Sequence, residues 1–239
     1  MRRFFAHPKC FVDGIVTLDA DETRHLRDVL RLPAGEEVSV FDGEGGEFRC
    51  AVSEIGKRDS TLQVLEKIEA AASESPLAIT VAATVLNGEK YDLIIQKAVE
   101  LGVSNLIPLT TIRCDVKPKD AARRLARWRR IAMEATKQCG RAKLMGIDEP
   151  LSFPKLIESI TGQPAVMFSE RDGADFGEVT ADEQITVLYG PKGGWDDSEL
   201  SLAAKHGIKI VTLGGRIMRA ETASIAITAI LQHRFGDLN

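Results

Sequence analysis

Two glycine-rich segments in the C-terminal part of the chain could do chemistry through their bare backbone. They are Leu188-Tyr189-Gly190-Pro191-Lys192-Gly193-Gly194 and Leu213-Gly214-Gly215-Arg216-Ile217-Met218. Each directly follows a predicted strand, and ligands of open α/β sheets bind at the carboxyl ends of strands. Glycine lets backbone N–H and C=O groups approach a planar ligand closely. The segments therefore predict a ligand site, although glycine loops alone are also typical of simple tight turns.

The spacing of the glycines limits the class of ligand. Neither segment has the G-x-G-x-x-G spacing of a dinucleotide-binding loop. Lys192 lacks the preceding glycine pattern and the following Ser or Thr of a Walker A loop. A dinucleotide or nucleoside triphosphate site is therefore not indicated.

The second loop continues into polar residues that packing does not explain, Arg219-Ala220-Glu221-Thr222. Glu221 and Thr222 are suited to the N-terminus of the helix that follows. Arg216 and Arg219 are not, because a cation is unfavourable beside the positive end of a helix dipole. We therefore expect these two arginines to have a functional role.

The charge of the chain is unevenly distributed. The 239 residues carry a net charge of −4, yet residues 117–143 hold ten Lys and Arg against two acids, a net of +8. The rest of the chain must then carry −12. This asymmetry predicts one cationic surface for a phosphate-bearing partner, with a solvated helix face as the alternative.

The composition excludes several classes of protein. No stretch approaches the roughly 18 apolar residues that span a bilayer, so we expect no membrane partner. The first residues lack the apolar core of a signal peptide, which favours the cytoplasm. The four cysteines are scattered without a CxxC pair, so we expect neither a disulfide framework nor a metal site.

The pattern of apolar residues divides the chain into two domains and a linker. Residues 1–70 are β-rich, with one helix that Asp21 is placed to cap, and they predict a small barrel. Residues 71–76 are small and polar and predict a linker. Residues 77–239 alternate strand and helix, which predicts a parallel sheet covered on both faces. We expect strands at 79–86, 105–109, 166–168, 185–188 and 208–213, and helices at 90–101, 120–138, 198–206 and 221–235.

These motifs resemble the signature of RsmE-type ribosomal RNA methyltransferases, which are members of the SPOUT superfamily. The two glycine loops and the Arg219-to-Ala223 tail carry the resemblance. Further matching segments follow in the same order over nearly the whole chain; they are 2–5, 25–31, 96–103, 108–109, 127–128 and 134–141. This chain departs from the family pattern at a few positions. Lys192 stands where glutamate is usual, Gly215 where proline is usual, and Lys137 where an acid is common.

The resemblance implies a fold, a cofactor and a reaction. The fold is α/β, a SPOUT-type parallel sheet flanked by helices and tied in a trefoil knot, with a small PUA-like β-barrel at the N-terminus. The cofactor is S-adenosyl-L-methionine, and the protein is a homodimer whose subunits both shape each active site. The reaction is methylation of N3 of a uridine in 16S ribosomal RNA of the small subunit.

We assign roles to residues within that framework. For catalysis, Arg219 is expected to stabilise the uridine anion, Glu221 to orient Arg219 or accept a proton, and Gln138 and Arg141 to hold the base or its phosphate. The predicted cofactor residues are Leu188, Tyr189, Gly190, Pro191, Gly193, Gly194, Leu213, Gly214, Arg216, Ile217, Met218 and Thr222. The predicted RNA contacts are Arg3, His25, Arg27, Arg31, Arg123, Arg124 and Arg127.

Two other functions remain open at this point. One is a SPOUT methyltransferase that acts on transfer RNA or on a ribose 2′-hydroxyl, because a fold alone does not fix the substrate. The other is a ribosome-assembly module that binds RNA without catalysis, an idea to which Lys192 and Gly215 give some support.

Overall fold

A computed structural model describes residues 1–238, which divide into two compact units. Unit 1 comprises Met1–Glu74 and Thr136–Leu144, and unit 2 comprises Ser75–Ala135 and Met145 onward. The strands are β1 Arg3–Phe5, β2 Phe11–Val12, β3 Ile15–Leu18, β4 Glu37–Phe41, β5 Glu47–Ile55, β6 Ser60–Ile68, β7 Ala78–Thr84, β8 Asn105–Thr110, β9 Gly146–Ile147, β10 Leu151–Ser152, β11 Ala165–Phe168, β12 Ala174–Asp175, β13 Gln184–Tyr189 and β14 Lys209–Thr212. The helices are α1 Ala20–Arg24, α2 Glu89–Glu100, α3 Pro118–Cys139, α4 Phe153–Ile160, α5 Asp197–Lys205 and α6 Ala220–Phe235.

Unit 1 is a six-stranded sheet in the order β1-β4-β5-β6-β3-β2. β1 pairs with β4 in parallel, and the other neighbours are antiparallel. Alternate residues of β1, β3, β4, β5 and β6 meet in one buried cluster that includes Phe4, Leu18, Val40 and Leu62. Five strands can share one cluster only if the sheet curls around it, as a PUA-like domain requires.

The end of α3 completes unit 1 through Arg3. The Arg3 guanidinium donates to the backbone carbonyls of Thr136, Lys137 and Arg141 at 3.1, 2.8 and 2.9 Å. It also forms two 2.9 Å hydrogen bonds with the Glu47 carboxylate. The last carbonyls of a helix lack a backbone donor within the helix, so Arg3 supplies donors to this helix end and to Arg141 just beyond it.

Two more ion pairs hold the same segment. Lys137 Nζ lies 2.7 Å from Glu22 Oε1, and both side chains are nearly buried. Arg141 pairs with Glu74 through contacts of 3.0 and 2.6 Å. The stretch predicted to be a linker is therefore bonded within unit 1 at Glu74.

Unit 2 is a parallel sheet in the order β10-β8-β7-β13-β11-β14-β12, with β9 beside β8. Leu188 packs in a buried cluster with side chains of α4 and α5, including Phe153 and Leu200. The next residue, Tyr189, lies 2.9 Å from Thr228 of α6 through their hydroxyls. Successive residues of a strand point to opposite faces, so helices cover both faces of the sheet. The predicted α/β class and parallel sheet are confirmed; the knot stays a prediction.

The structure differs from the sequence-based expectations at local points. Asp19, not Asp21, caps α1 by accepting hydrogen bonds from the N–H groups of Asp21 and Glu22. α1 then passes into a π-helical turn at His25–Val29. The helix α4 is not expected from the sequence. Pro154 lies in the first turn of this helix, where a proline costs no hydrogen bond. Within the described chain, no helix combines the length and apolarity needed to cross a membrane.

Candidate functional site

A cavity of about 370 Å³ lies at the carboxyl ends of β11, β13 and β14. β11 lies between β13 and β14 in the sheet, so the two glycine loops flank it on either side. All the predicted cofactor residues line this cavity except Leu188, which is buried in the sheet, and Thr222, which is exposed on α6. Two loops that are well separated in sequence therefore meet at one site, as the strand order requires.

The first glycine loop is shaped by Trp195, whose side chain is 1% exposed. Its Nε1 donates a 2.7 Å hydrogen bond to the carbonyl of Phe168, at the end of β11. A Cβ on Gly190 would lie 2.9 Å from the indole, so only glycine leaves room for this packing. Arg113 holds the outer part of the loop by donating to the carbonyl of Gly193 at 3.1 Å.

The entry to the first loop is fixed by Tyr189. Its carbonyl accepts a 3.1 Å hydrogen bond from the Thr84 hydroxyl of β7, and its own hydroxyl bonds with Thr228 of α6. Burial raises the pKa of the Tyr189 phenol, so this group stays protonated at all physiological pH values. Tyr189 therefore anchors the loop and is unsuited to act as a base.

The second glycine loop is open. Apart from the glycine and its two chain neighbours, no atom of residues 1–238 lies within 4 Å of a Cβ built on Gly214 or Gly215, and both residues line the cavity. Gly215 has a φ of 100°, which a proline ring cannot adopt. Proline is the usual residue at this position in the family, and it could not adopt the backbone conformation that Gly215 has in this chain.

Arg219 and Glu221 lie where the second loop enters α6. Arg219 is the residue before the first turn, with an extended backbone and an exposed side chain. Glu221 pairs with Lys90 of α2 at 3.1 Å. Among the described contacts, no ion pair within 4.0 Å joins Glu221 to Arg219. Glu221 and Lys90 belong to a second cavity of about 560 Å³, which α2 and α3 also line.

The pKa of Glu221 is below its ordinary value. Burial alone would raise it, but the backbone N–H of Glu221 and the Lys90 ammonium stabilise the charged form and outweigh burial. Glu221 is therefore ionised at neutral pH and is a weak proton acceptor.

The basic helix α3 carries the predicted RNA contacts of unit 2. Arg123 and Arg127 are exposed, and Arg124 is half-buried. Arg127 pairs with Asp92 of α2 at 2.5 Å. Trp128, on the same helix, is 1% exposed and packs on the Tyr91 ring, which makes it a packing residue and not a platform for RNA bases.

The remaining predicted residues lie in unit 1. Gln138 is exposed at the end of α3. Arg141 is buried and pairs with Glu74, whereas Arg3 is half-buried and pairs with Glu47. RNA contacts of those two arginines would have to compete with these carboxylates, of which Glu47 is buried and Glu74 has a side chain that is 35% exposed. His25 packs edge-on against Phe4. Arg27 bonds to Asp28 and to the carbonyls of Gly56 and Lys57, and Arg31 is exposed.

Comparison with known proteins assigns both parts of the chain. An RNA methyltransferase domain family matches residues 73–232, and an RNA methyltransferase PUA domain family matches residues 18–65. The ribosomal RNA small subunit methyltransferase E of Synechocystis sp. is 34% identical over 236 residues, covering 95% of this chain and 76% of the relative. The chain belongs to the ribosomal RNA small subunit methyltransferase E family.

Solved structures agree with membership in the methyltransferase E family. The Neisseria gonorrhoeae enzyme of that name, bound to S-adenosyl methionine, is 32% identical with a TM-score of 0.90, and both chains are covered completely. A Legionella pneumophila methyltransferase with bound cofactor is 28% identical with a TM-score of 0.91, and 99% of each chain is covered.

The residues of the cavity fit S-adenosylmethionine, the cofactor bound in those relatives. The glycine loops offer backbone donors and acceptors beside open space. Glu170 supplies a carboxylate, and Lys192 and Arg216 supply cations, for a ligand that carries both signs of charge. Among residues 1–238, no three His, Cys, Asp or Glu side chains cluster as a metal site requires.

Sequence reasoning missed three residues that shape this site, which are Trp195, Arg113 and Glu170. Trp195 follows the glycines directly, and its place after a predicted ligand loop was a usable signal. Arg113 and Glu170 follow other strands and reach the loop only through the fold.

Proposed function

We propose that the protein transfers a methyl group from S-adenosylmethionine to N3 of a uridine in the 16S RNA of the small ribosomal subunit. The observation that carries this proposal is the cavity that both glycine loops line at the ends of parallel strands, in a methyltransferase E family member. The names of the relatives support the substrate and the cofactor. The motif resemblance supports uridine N3. Ribosome assembly in bacteria is cytoplasmic, so we propose that compartment.

The proposed chemistry needs a positioned nucleophile and a stabilised anion. When bound, S-adenosylmethionine supplies an electrophilic methyl group on a positively charged sulfur. The N3–H of uridine ionises well above neutral pH, so its anion must be stabilised. Arg219 follows the cavity-lining Met218 directly, and its exposed guanidinium offers a fork of N–H donors. We assign Arg219 to the carbonyl oxygen beside N3, where negative charge develops.

We narrow the role of Glu221 to positioning. Its lowered pKa makes it a poor base, and its carboxylate is held by Lys90. An anion in the first turn of α6 also stabilises that helix end, on which Arg219 depends for its place. Gln138 keeps the proposed role of contacting the base edge, because its side chain is exposed.

We propose that the working form is a homodimer that uses α6. One side of this helix is buried through Ser224, Ile227, Thr228 and Leu231. The middle of the opposite side is also apolar, yet it is only half-buried in the single chain. It is formed by Ile225, Ala226, Ala229 and Ile230. A surface helix is normally polar on its outer face, so this second apolar side suits a subunit contact.

The test compares Arg219→Ala with the unchanged protein. Binding of S-adenosylmethionine, measured by calorimetry, should stay within about twofold, because the cavity residues are intact. Methyl transfer to purified small ribosomal subunits should fall by about 10²- to 10³-fold, the usual loss for one stabilising donor. Lys205→Ala, which removes an exposed cation from α5, serves as the control and should leave both values unchanged.

Mass spectrometry of the modified RNA identifies the product. We expect 3-methyluridine at one site of the small-subunit RNA. A methyl group on a ribose 2′-oxygen, or on transfer RNA, would contradict the proposed substrate. Full activity of Arg219→Ala would contradict the role of that residue.

A further inference from the structure

Glu170 presents a carboxylate to the cofactor cavity, and among the described residues no hydrogen bond to this carboxylate is formed. It lies two residues beyond β11, lines the cavity, and has a side chain that is 37% exposed. Within residues 1–238, its one ion pair is with Arg171 Nε at 3.9 Å, beyond hydrogen-bonding distance. A carboxylate in such a position can accept hydrogen bonds from a ligand.

The sheet order places Glu170 between the two glycine loops. β11 lies between β13 and β14, which carry the first and second loops. A ligand held by both loops must therefore pass over the end of β11. A Cβ on Gly194 would overlap Oε1 of Glu170, so the carboxylate lies directly against the first loop.

The segment that carries Glu170 is anchored on both sides. Arg171 donates to the Asp197 carboxylate at 2.5 Å and to the Trp195 carbonyl at 3.3 Å, just beyond the first loop. The N–H of Gly173 donates to the Thr212 hydroxyl at 3.0 Å, just before the second loop. These bonds fix the backbone of Glu170 relative to both loops, as a ligand-binding residue needs.

We propose that Glu170 accepts hydrogen bonds from the ribose hydroxyls of the cofactor, an inference that rests on the proposed binding of S-adenosylmethionine. That molecule has adenine at one end, the amino acid at the other and the ribose between them. Two hydroxyl donors thus lie in its middle, as Glu170 lies between the loops. An acid near a strand end binds ribose in the same way in dinucleotide-binding sheets. The ammonium group of the cofactor is the other donor that could bind the Glu170 carboxylate, but it lies at one end of the molecule.

The first measurement is calorimetry with S-adenosylhomocysteine, which binds without turnover. Glu170→Ala should weaken binding by about tenfold to a hundredfold, the usual loss for hydrogen bonds to a charged group. Glu170→Gln keeps one acceptor oxygen, so its affinity for S-adenosylhomocysteine should lie between those of the unchanged protein and Glu170→Ala. Glu158→Ala, at an exposed position on α4, is the matched control and should bind normally. Thermal unfolding midpoints should agree among all four proteins, because Glu170 is partly exposed and its ion pair is long.

The second measurement uses two altered ligands to separate ribose from ammonium. With the 2′-deoxy analogue of S-adenosylhomocysteine, the loss caused by Glu170→Ala should shrink. With the α-keto analogue, which lacks the ammonium group, the loss should stay complete. The opposite pattern overturns the inference and assigns Glu170 to the ammonium, and unchanged binding of S-adenosylhomocysteine by Glu170→Ala also overturns it. Failure of the unchanged protein to bind S-adenosylhomocysteine would instead contradict the proposed function.

Discussion

Gly194 meets two separate requirements of the first glycine loop. Its φ is 71°, in the left-handed region that a side chain disfavours, and the Glu170 carboxylate occupies the place of a Cβ. The neighbouring Gly193 has neither restriction, because its φ is not positive and the nearest atom to its Cβ is 3.7 Å away on Arg113. Two adjacent glycines of one motif are thus required to different degrees.

This contrast gives a prediction for matched alanine variants. Gly194→Ala should cost about 1–2 kcal/mol in the loop conformation and weaken S-adenosylmethionine binding by about tenfold or more. Gly193→Ala should bind nearly as the unchanged protein does. Calorimetry measures both, and equal affinities for the two variants would show that the loop does not need a left-handed residue at Gly194.

At the scale of single residues, the sequence predicts a site better than it predicts side-chain partners. The glycine loops and Arg219 stand out because their types are unusual for strand ends. The partner of a charged residue does not stand out, because pairing depends on the fold. Glu221 pairs with Lys90, which precedes it by more than half the chain, and Glu74 of the expected linker pairs with Arg141. Glu170 sits in a loop with no periodic pattern, so only the sheet order reveals its place.

The N-terminus of α6 should show a dependence on pH through Glu221. The folded-state pKa of Glu221 is lowered, so its charged form stabilises the fold. This stabilisation is present above the ordinary pKa of 4.5 and is lost as the pH falls through the lowered value. Urea unfolding at a series of pH values should therefore find Glu221→Gln less stable than the unchanged protein at neutral pH. The difference should vanish in acid. Glu158→Gln serves as the control, and a difference that persists in acid would contradict an electrostatic origin.

The basic face of α3 gives a prediction at the scale of elements. Arg123, Arg127 and Arg130 are exposed and are spaced by four and three residues, which places them on one side of the helix. Arg127 pairs with Asp92 at 2.5 Å, whereas the pair of Arg123 with Asp120 is longer, at 3.6 Å, and exposed, so Arg123 and Arg130 are the better targets. Changing Arg123 and Arg130 to Gln should weaken RNA binding. A plot of log affinity against log salt concentration has a negative slope, and this slope should become less steep by about 0.7–0.9 for each phosphate that the variant no longer neutralises.

The control for this experiment is a pair of lysines on other helices. Lys155 of α4 and Lys205 of α5 are exposed, and changing both to Gln removes the same charge. Equal slopes for the two double variants would mean that RNA binds elsewhere.

Among the elements, periodicity predicts the α/β part well. The strands and helices of unit 2 expected from sequence are present, because buried strands and two-sided helices have distinct patterns. Within the β-rich residues 1–70, the sequence does not give the bounds of β1, β2 and β3, since two to four residues give too little pattern. The helix α4 escapes prediction because Pro154, a residue typical of loops, lies in its first turn. The predicted cap of α1 is wrong by two residues because two acids, Asp19 and Asp21, flank Ala20.

For the whole molecule, the second apolar side of α6 predicts the oligomeric state. Ala229→Glu places a charge in the middle of that side and should convert a dimer to a monomer, because a buried unpaired charge is costly. Light scattering after size-exclusion chromatography measures the mass. Ala204→Glu makes the same change at an exposed position of α5 and should leave the dimer intact. A dimer that persists in Ala229→Glu would place the contact on another surface.

Unit 1 is assembled from two separate stretches of chain, which has a consequence for biosynthesis. The ribosome releases the N-terminal stretch first, but the carbonyl groups that Arg3 bonds belong to Thr136, Lys137 and Arg141. Ser75–Ala135 must be synthesised before those groups exist. During that interval Glu22 lacks the ammonium of Lys137. Unit 1 therefore cannot finish folding as its N-terminal stretch emerges. Its folding is complete only after the end of α3 has been synthesised.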